Sequence, residues 1–398
     1  MTFCSKNVKT AVWELTLRCN AKCIHCGSAA GEDRLGNLTF EQAKDVVRQL
    51  NDLKCGHLTL IGGEYFLYPK WKELLEEFAK TKIKVGIVTN ALALNPEKLD
   101  ILKSFGIEVL GISIDGATAK THDYIRRIPG CFDNAWKIAE LSKEKDIPVT
   151  VITTINRLNI TELKSFRDKL IASGIVSWQL QHSTLFGRMK EELALDDFGY
   201  YIVGIFCAQC FKIYAKKQLS LQVMHSMGYY SSVIPNHTPN RYWMGCMAGK
   251  YNLGIRSDGS VLGCLSLYDD KYIEGNVKGE SIKEIRERKN FCSWNHRIAK
   301  YKNLAGFCKE CVYGLACLGG CESYTPAQHK CYYEIESKWK NSVPVSEVDE
   351  LLQKITQGHM AEDGTFYLSD NTEITDKFVN SISLDDYHKE ILRQIVVR

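Results

Sequence analysis

The sequence predicts an α/β fold: a partial (β/α)6 TIM-like barrel followed by a small cysteine-rich domain. Three observations carry this reading. Short β-branched runs alternate with amphipathic helical stretches at intervals of about 25 to 40 residues, the rhythm of βα repeats around a parallel sheet. No GxGxxG follows the first run, which favours a barrel over an open dinucleotide-binding sheet. Cysteines become frequent and strands short from Tyr242 to about Tyr333, as in a domain organised by metal rather than by core.

The barrel strands are expected at Ala11–Leu17, His57–Ile61, Lys84–Val88, Val109–Ile114, Val149–Ile155 and Ser177–Gln181. Helices are expected between them, near Phe40–Leu53, Lys70–Lys80, Pro96–Phe105, Cys131–Lys145 and Ile160–Ala172. Turn residues punctuate the alternation at Lys54-Cys55-Gly56, Asn90, Phe105-Gly106, Asp146 to Pro148 and Ser173-Gly174. A helical segment near Asp196–Lys217 closes the barrel region, residues 1–217. Residues 218–245 have no clear period and read as a connection. The cysteine-rich domain spans 246–335. In the tail, 336–398, Ser346–Thr356 and Asp385–Val396 look helical and Thr365–Leu368 extended, with no role readable from pattern.

The chain has 398 residues, 45% hydrophobic and 25% charged, which excludes disorder and low-complexity classes. Its net charge of +4 is too small to argue for nucleic acid. From Val345 to Arg398 there are 11 acids against 5 bases, so the body is mildly basic and the tail acidic. The opening MTFCSKNVKT lacks the apolar core of a secretory signal. No apolar run reaches the roughly 18 residues needed to span a bilayer. A cytoplasmic, reduced protein is expected, so its 16 cysteines call for metal or chemistry rather than disulfides.

Directly after the first strand, RCNAKCIHCG sets Cys19, Cys23 and Cys26 in a CxxxCxxC loop. Three close thiolates can hold three corners of a cubane iron–sulfur cluster and leave one iron open. Zinc would more often take two CxxC pairs or a histidine, and His25, between two of the cysteines, is poorly placed to join the same ion. Further on, Cys246, Gly259 and Cys264 form C-x12-G-x4-C. Cys308, Cys311, Cys317 and Cys321 form C-x2-C-x5-C-x3-C, followed by Cys331. Seven thiolates exceed any single zinc site.

The CxxxCxxC loop after strand one resembles the radical S-adenosylmethionine (radical SAM) superfamily, and the seven later cysteines resemble its SPASM extension. Gly62-Gly63-Glu64 at the end of strand two resembles the GGE motif, with Tyr65 where a proline is usual. Asn90 ends strand three, Ser113-Ile114-Asp115-Gly116 resembles SxDG, and His122 to Arg126 resembles HDxxR. The resemblance implies that Cys19, Cys23 and Cys26 hold a SAM-binding 4Fe–4S cluster. It implies SAM contacts from Gly62, Gly63, Glu64, Asn90, Ser113, Asp115 and Arg126. It also implies two auxiliary 4Fe–4S clusters, three in all. Cys308, Cys311, Cys317 and Cys331 would hold the outer one; Cys246, Cys264 and Cys321 would hold the inner one, with an open iron or a further ligand such as Cys292.

The implied chemistry is reductive cleavage of SAM to a 5′-deoxyadenosyl radical, which takes hydrogen from an unactivated carbon. SPASM relatives oxidise ribosomally made peptides, forming thioether or carbon–carbon crosslinks, or convert a sulfatase side chain to formylglycine. The leading expectation is therefore an oxidoreductase acting on a peptide or protein side chain, with flavodoxin or ferredoxin as reductant and neither nucleic acid nor membrane as partner. Small-molecule oxidation or decarboxylation, peptide epimerisation and a non-enzymatic electron carrier are the alternatives. No peptide-recognition domain is expected before the barrel, so leader binding is expected to need the C-terminal tail or a separate protein. No catalytic acid–base pair is assigned. Gln179 and Gln181 share a face of strand six, and Phe186-Gly187-Arg188-Met189 resembles a stretch found after that strand in SPASM enzymes. Among the remaining cysteines (Cys4, Cys55, Cys131, Cys207, Cys210 and Cys292), Cys207 and Cys210 read as small buried hydrophobes. Cys131, at a helix start, is open between an activated thiol and a buried one.

Overall fold

The computed structural model describes residues 7–214, 218–224, 227, 229–235, 243, 245–323 and 330–397; Cys4 and parts of the 218–245 connection lie outside them. Seven parallel strands run in consecutive order: β1 (Thr10–Glu14), β2 (His57–Ile61), β3 (Lys84–Thr89), β4 (Val109–Ser113), β5 (Val149–Ile155), β6 (Ser177–His182) and β7 (Ser220–Val223). The helices between them are α1 (Phe40–Asp52), α2 (Trp71–Ala79), α3 (Pro96–Phe105), α4 (Ala119–Arg126), α5 (Cys131–Glu144), α6 (Leu163–Ala172) and α7 (Asp197–Ile213). Their starts follow from side-chain caps. Thr39 and Gln42 form a reciprocal capping box at α1, and Asn95 precedes Pro96 at the first position of α3.

Alternation along each strand separates two layers. On β6, Trp178 and Leu180 are fully buried, and the Trp178 ring packs edge-on against Phe166 of α6 and Phe206 of α7. Gln181, next along the strand and of opposite parity, lines the barrel mouth. A one-residue slip would exchange these faces, so burial of the tryptophan sets which side chains reach the site.

Three differences from the sequence-based expectation matter. The helix Ala119–Arg126 was not anticipated; it is short and polar, and its signal is the Thr118 side chain accepting from Thr121 N. The seventh strand falls inside the segment read as a connection. The strands of the cysteine-rich segment, β8 (Asn252–Ile255), β9 (Ser260–Leu262) and β10 (Ile273–Asn276), continue the barrel sheet, β8 pairing parallel to β1 through Thr10↔Asn252. Ile255, Val261, Ile282 and Phe291 join the main hydrophobic cluster, so this part has a core as well as its cysteines.

The tail packs on the outer helices. Gln394, after the helix Asp386–Arg393, accepts from Lys164 N at 2.8 Å and donates to Thr161 O at 2.9 Å. Lys164 N is one of the first amides of α6, a helix whose own N-cap residue supplies no side-chain cap, so the tail provides it. Gln209 of α7 donates to Gly364 O and Ile395 O, both at 2.9 Å. Replacement Gln394→Ala is expected to lower stability by about 1 kcal/mol, because the part-buried Lys164 amide loses its acceptor; denaturant unfolding reads this directly. Among the described residues no helix is long and apolar enough to cross a membrane.

Candidate functional site

The loop after β1 is held from several sides. Glu14 takes a two-pronged hydrogen bond from Arg34 at 2.7 and 3.1 Å, Cys19 N donates to Gly31 O at 3.0 Å, and Ile24 N donates to Ile125 O of α4 at 3.0 Å. Each of its three cysteine sulfurs meets a donor. Ala21 N lies 3.4 Å and Asn90 Nδ2 3.8 Å from Cys19 Sγ, Arg126 Nη1 lies 3.7 Å from Cys23 Sγ, and Ala30 N lies 3.4 Å from Cys26 Sγ. Such contacts suit thiolates that carry cluster charge. Burial pushes the free Cys19 thiol up to about 11, so cluster assembly here must release protons.

These cysteines open into a cavity at the mouth of the barrel. Of the seven sequence-predicted SAM contacts, Gly62, Gly63, Asn90, Ser113 and Arg126 line it, and Glu64 and Asp115 do not. Both glycines lie against the preceding chain: a Cβ on Gly63 would overlap the Arg18 carbonyl oxygen, and one on Gly62 the Thr16 carbonyl oxygen. Only a residue without a side chain permits that approach. Glu64 instead accepts from Thr89 Oγ1 at 2.7 Å and Asn90 N at 2.8 Å, behind the wall that Asn90 forms. Asp115 accepts from Thr154 N at 2.8 Å, and its other oxygen lies 2.6 Å from Arg126 Nη2. Burial alone would raise the Asp115 carboxyl; Arg126, with His25 and His122 beside it, outweighs burial and holds it below the usual carboxylate range. Both carboxylates position neighbours, because strand-end backbone amides and Arg126 claim their oxygens. Arg126 keeps its buried Nε without a partner among the described residues, which leaves a donor for an anionic group in the mouth.

The seven later cysteines gather into two groups. Cys308, Cys311, Cys317 and Cys331 line one small pocket walled by Tyr230, Tyr313 and Tyr333. Cys246, Cys264 and Cys321 are close enough that Cys246 and Cys321 both raise the Cys264 thiol, which burial pushes up to about 12. Ser266 N lies 3.5 Å from Cys264 Sγ, and Ser323 Oγ lies 3.0 Å from Cys321 Sγ. Ser266 and Ser323 also line the mouth cavity, so this inner group borders the same space as the cysteine loop. A second cavity, sharing Ser266, Tyr268 and Ser323 with the first, extends past Cys321 to Cys308. Cys292 is fully buried in the main hydrophobic cluster, its sulfur against Gly249 and Gly263.

The donor sets fit iron–sulfur clusters better than zinc. Tetrahedral zinc at about 2.3 Å from each sulfur brings sulfurs to about 3.8 Å from one another. Among the described residues no three cysteine sulfurs fall within 4.8 Å; the one such group is His122, Asp123 and Cys131. There Asp123 accepts from Gly130 N, Phe132 N and Cys131 Sγ, fastening the start of α5. Burial, followed by that carboxylate, pushes Cys131 up to about 12, the opposite of an activated thiol. Cys207 and Cys210 are buried in α7, as their spacing implied.

His182, Arg188 and Tyr268 also line the mouth; Arg188 belongs to the Phe186–Met189 stretch noted in the sequence, whereas His182 and Tyr268 carried no motif of their own. His182 ends β6, is 7% exposed and stacks on Tyr200 at 4.4 Å; neither ring nitrogen has a partner among the described residues. Burial drives its pKa down to about 3, so the ring is neutral and offers one donor and one acceptor. The unfolded chain takes up this proton near pH 6.5, so the His182 contribution to stability is lost as pH falls from about 6.5 toward 3. His182→Phe keeps the stack and removes the titration. The pH slope of its unfolding free energy is expected to be shallower by about 1.4 kcal/mol per pH unit in that window.

Comparison with known proteins agrees with this arrangement. A profile of the radical SAM superfamily matches residues 13–170, and one of the SPASM iron–sulfur cluster-binding domain matches 246–312. The AdoMet-dependent heme synthase of Methanosarcina barkeri is 27% identical over 81% of this chain and 94% of its own length. The subtilosin biosynthesis protein AlbA of Bacillus subtilis is 30% identical over 46% of this chain and 41% of its own. SuiB of Streptococcus suis, solved with its precursor peptide SuiA, superposes with a TM-score of 0.66 over 87% of this chain and 76% of SuiB, at 17% identity. The chain carries a radical SAM domain followed by a SPASM iron–sulfur cluster-binding domain, and it is an enzyme.

Proposed function

We propose that this enzyme holds three 4Fe–4S clusters and oxidises a peptide or protein side chain, with crosslink-type loss of two hydrogens. Cys19, Cys23 and Cys26 would hold the SAM-binding cluster; Gly62, Gly63, Asn90, Ser113 and Arg126 would hold SAM. When bound and reduced, this pair supplies a 5′-deoxyadenosyl radical able to take hydrogen from an unactivated carbon. The chain's own residues bind the substrate, orient it and exclude water. Cys308, Cys311, Cys317 and Cys331 would hold the outer auxiliary cluster, and Cys246, Cys264 and Cys321 the inner one. The observation that carries the oxidative reading is the shared wall: Ser266 and Ser323, each beside an inner-group sulfur, face the cavity of the cysteine loop. A substrate in the mouth would lie between the residues that would hold SAM and its cluster and those that would hold the inner auxiliary cluster.

The charges around the two cavities favour a peptide. Arg126 pairs with Asp115, Lys271 with Asp269 at 3.0 Å, and Lys300 with Glu322 at 2.9 Å. Arg188 is engaged with backbone carbonyls. Such balanced walls suit an amphipathic, nearly neutral segment, and the neutral His182 matches an amide's paired donor and acceptor. A polycarboxylate would call for unpaired cations.

One observation favours a second reading, decarboxylation of a tetrapyrrole-type small molecule: the heme synthase similarity extends over 94% of that protein, whereas the AlbA similarity is confined to 41% of its length. Anaerobic incubation with SAM and a strong reductant, with either a short peptide encoded near the gene or an iron-coproporphyrin, separates the two. A peptide lighter by two hydrogens supports the first reading; release of carbon dioxide from the porphyrin alone supports the second.

A further inference from the structure

After β6 the chain turns back across the mouth and meets the cysteine loop at residues 186–188. One residue supplies three of the contacts. Arg188 N donates to Cys26 O at 3.0 Å, Arg188 Nε to Cys23 O at 2.8 Å, and Arg188 Nη1 to Ala30 O at 2.9 Å. The acceptors lie on Cys23 and Cys26 themselves and on the residue whose own N–H reaches Cys26 Sγ. Cys23 and Ala30 are buried, so without Arg188 their carbonyls would lack these partners in a loop that forms no regular ladder. A guanidinium can satisfy two fixed acceptors at once with planar, divergent N–H groups; an ammonium is a single rotating point.

The approach depends on Gly187. It stands at φ +61, and a Cβ there would overlap the carbonyl oxygens of Cys26 and Gly27. Phe186 packs against Tyr268 with ring centroids 5.1 Å apart, and the hydroxyl end of Tyr268 lies over Gly27. Tyr268 follows Cys264 by four residues, so the same segment connects the cysteine loop to the inner cysteine group.

We propose that Arg188, carried on Gly187, is a positioning residue that fixes the cysteine loop through its backbone carbonyls and thereby sets how Cys23 and Cys26 present their sulfurs. This rests on the reading that Cys19, Cys23 and Cys26 hold an iron–sulfur cluster. Arg188 acts through the loop, one shell beyond the thiolates, where loss of a partner typically costs 10–100-fold in metal affinity.

The test compares the loaded wild-type enzyme with Arg188→Ala and Arg188→Lys, prepared anaerobically. Two readouts are the rate at which a chelator strips iron from the SAM-responsive cluster and the change SAM produces in the EPR spectrum of the reduced protein. Both variants are expected to lose that iron about 10–100-fold faster and to show an altered or absent SAM-induced spectral change. Circular dichroism and the other cluster signals should stay at wild-type values. Unchanged chelation and unchanged SAM response in a folded variant overturn the proposal, as does full restoration by lysine, which would reduce the role to charge. If the alanine variant loses its dichroism, the lysine variant, which keeps length and charge, decides on the same criteria. Cys23→Ala is the separate control: if it retains the SAM-responsive signal, the ligand assignment fails, whatever Arg188 does.

Discussion

Replacement of Cys23 by alanine is expected to abolish SAM cleavage and to remove about one third of the bound iron, as three similar clusters would dictate. Cys23 is the loop cysteine tied most closely to the rest of the mouth. Its sulfur faces Arg126 Nη1 at 3.7 Å, its carbonyl accepts from Arg188, and its side chain is buried. A buried alanine leaves a methyl where an anionic ligand belongs and strands Arg126 beside it with half its negative environment gone. No neighbouring described cysteine stands ready as a substitute, since Cys131 is held by Asp123 at 3.2 Å. The 5′-deoxyadenosine assay under strong reductant, read with an iron count, checks both parts. Far-ultraviolet dichroism should stay near wild type, because the barrel core of Trp13, Leu60, Ile112 and Trp178 does not involve the loop.

The second large effect separates radical formation from oxidation. Cys321→Ala removes a proposed ligand from the inner group while leaving the cysteine loop intact. SAM cleavage without substrate is expected to persist, whereas oxidised product should fall by at least about 100-fold, the upper range for loss of metal-site support. Cys321 borders the second cavity and, through Ser323, the mouth, and its hydrogen bonds among the described residues run to Tyr229 and Ser323 rather than to the cysteine loop. Parallel loss of both activities would mean that the inner group holds the barrel together rather than serving the substrate.

How much of this was legible in the sequence follows from the kind of signal each feature carries. The strands His57–Ile61 and Val149–Ile155 and the helix Pro96–Phe105 lie where periodicity and caps put them, because Asn95-Pro96 and Gly106 mark both ends of that helix chemically. The four-residue strand Ser220–Val223 was hidden: SLQV is too short to outweigh its polar surroundings. The docking of Asn252–Ile255 onto β1 was hidden for another reason, since no local pattern states which distant strand will pair.

The site divides the same way. Cysteine spacing and paired glycines are local signals, so the loop could be read from the sequence; the division of the later cysteines into two groups came from the family resemblance. Glu64 and Asp115 were expected at the cofactor; in the structure neither lines the cavity, and each accepts from a strand-end amide behind its wall. His182 and Arg188 acquire their meaning only from where β6 ends and where the following turn points. The stretch Phe186-Gly187-Arg188-Met189 stands out in the sequence, but neither the unpartnered imidazole nor the carbonyl partners of Arg188 can be read from it. The tail, which read as having no assignable role, proves to cap α6 through Gln394.

Mass spectrometry of a co-expressed peptide tests most directly whether substrate oxidation is shared between the cysteine loop and the inner group. Anaerobic expression with a short peptide encoded near the gene is expected to yield a product lighter by two hydrogen atoms, formed by the wild type and lost in both Cys23→Ala and Cys321→Ala. A peptide of unchanged mass and no deuterium uptake, from an enzyme that still cleaves SAM and decarboxylates an iron-coproporphyrin, would contradict it.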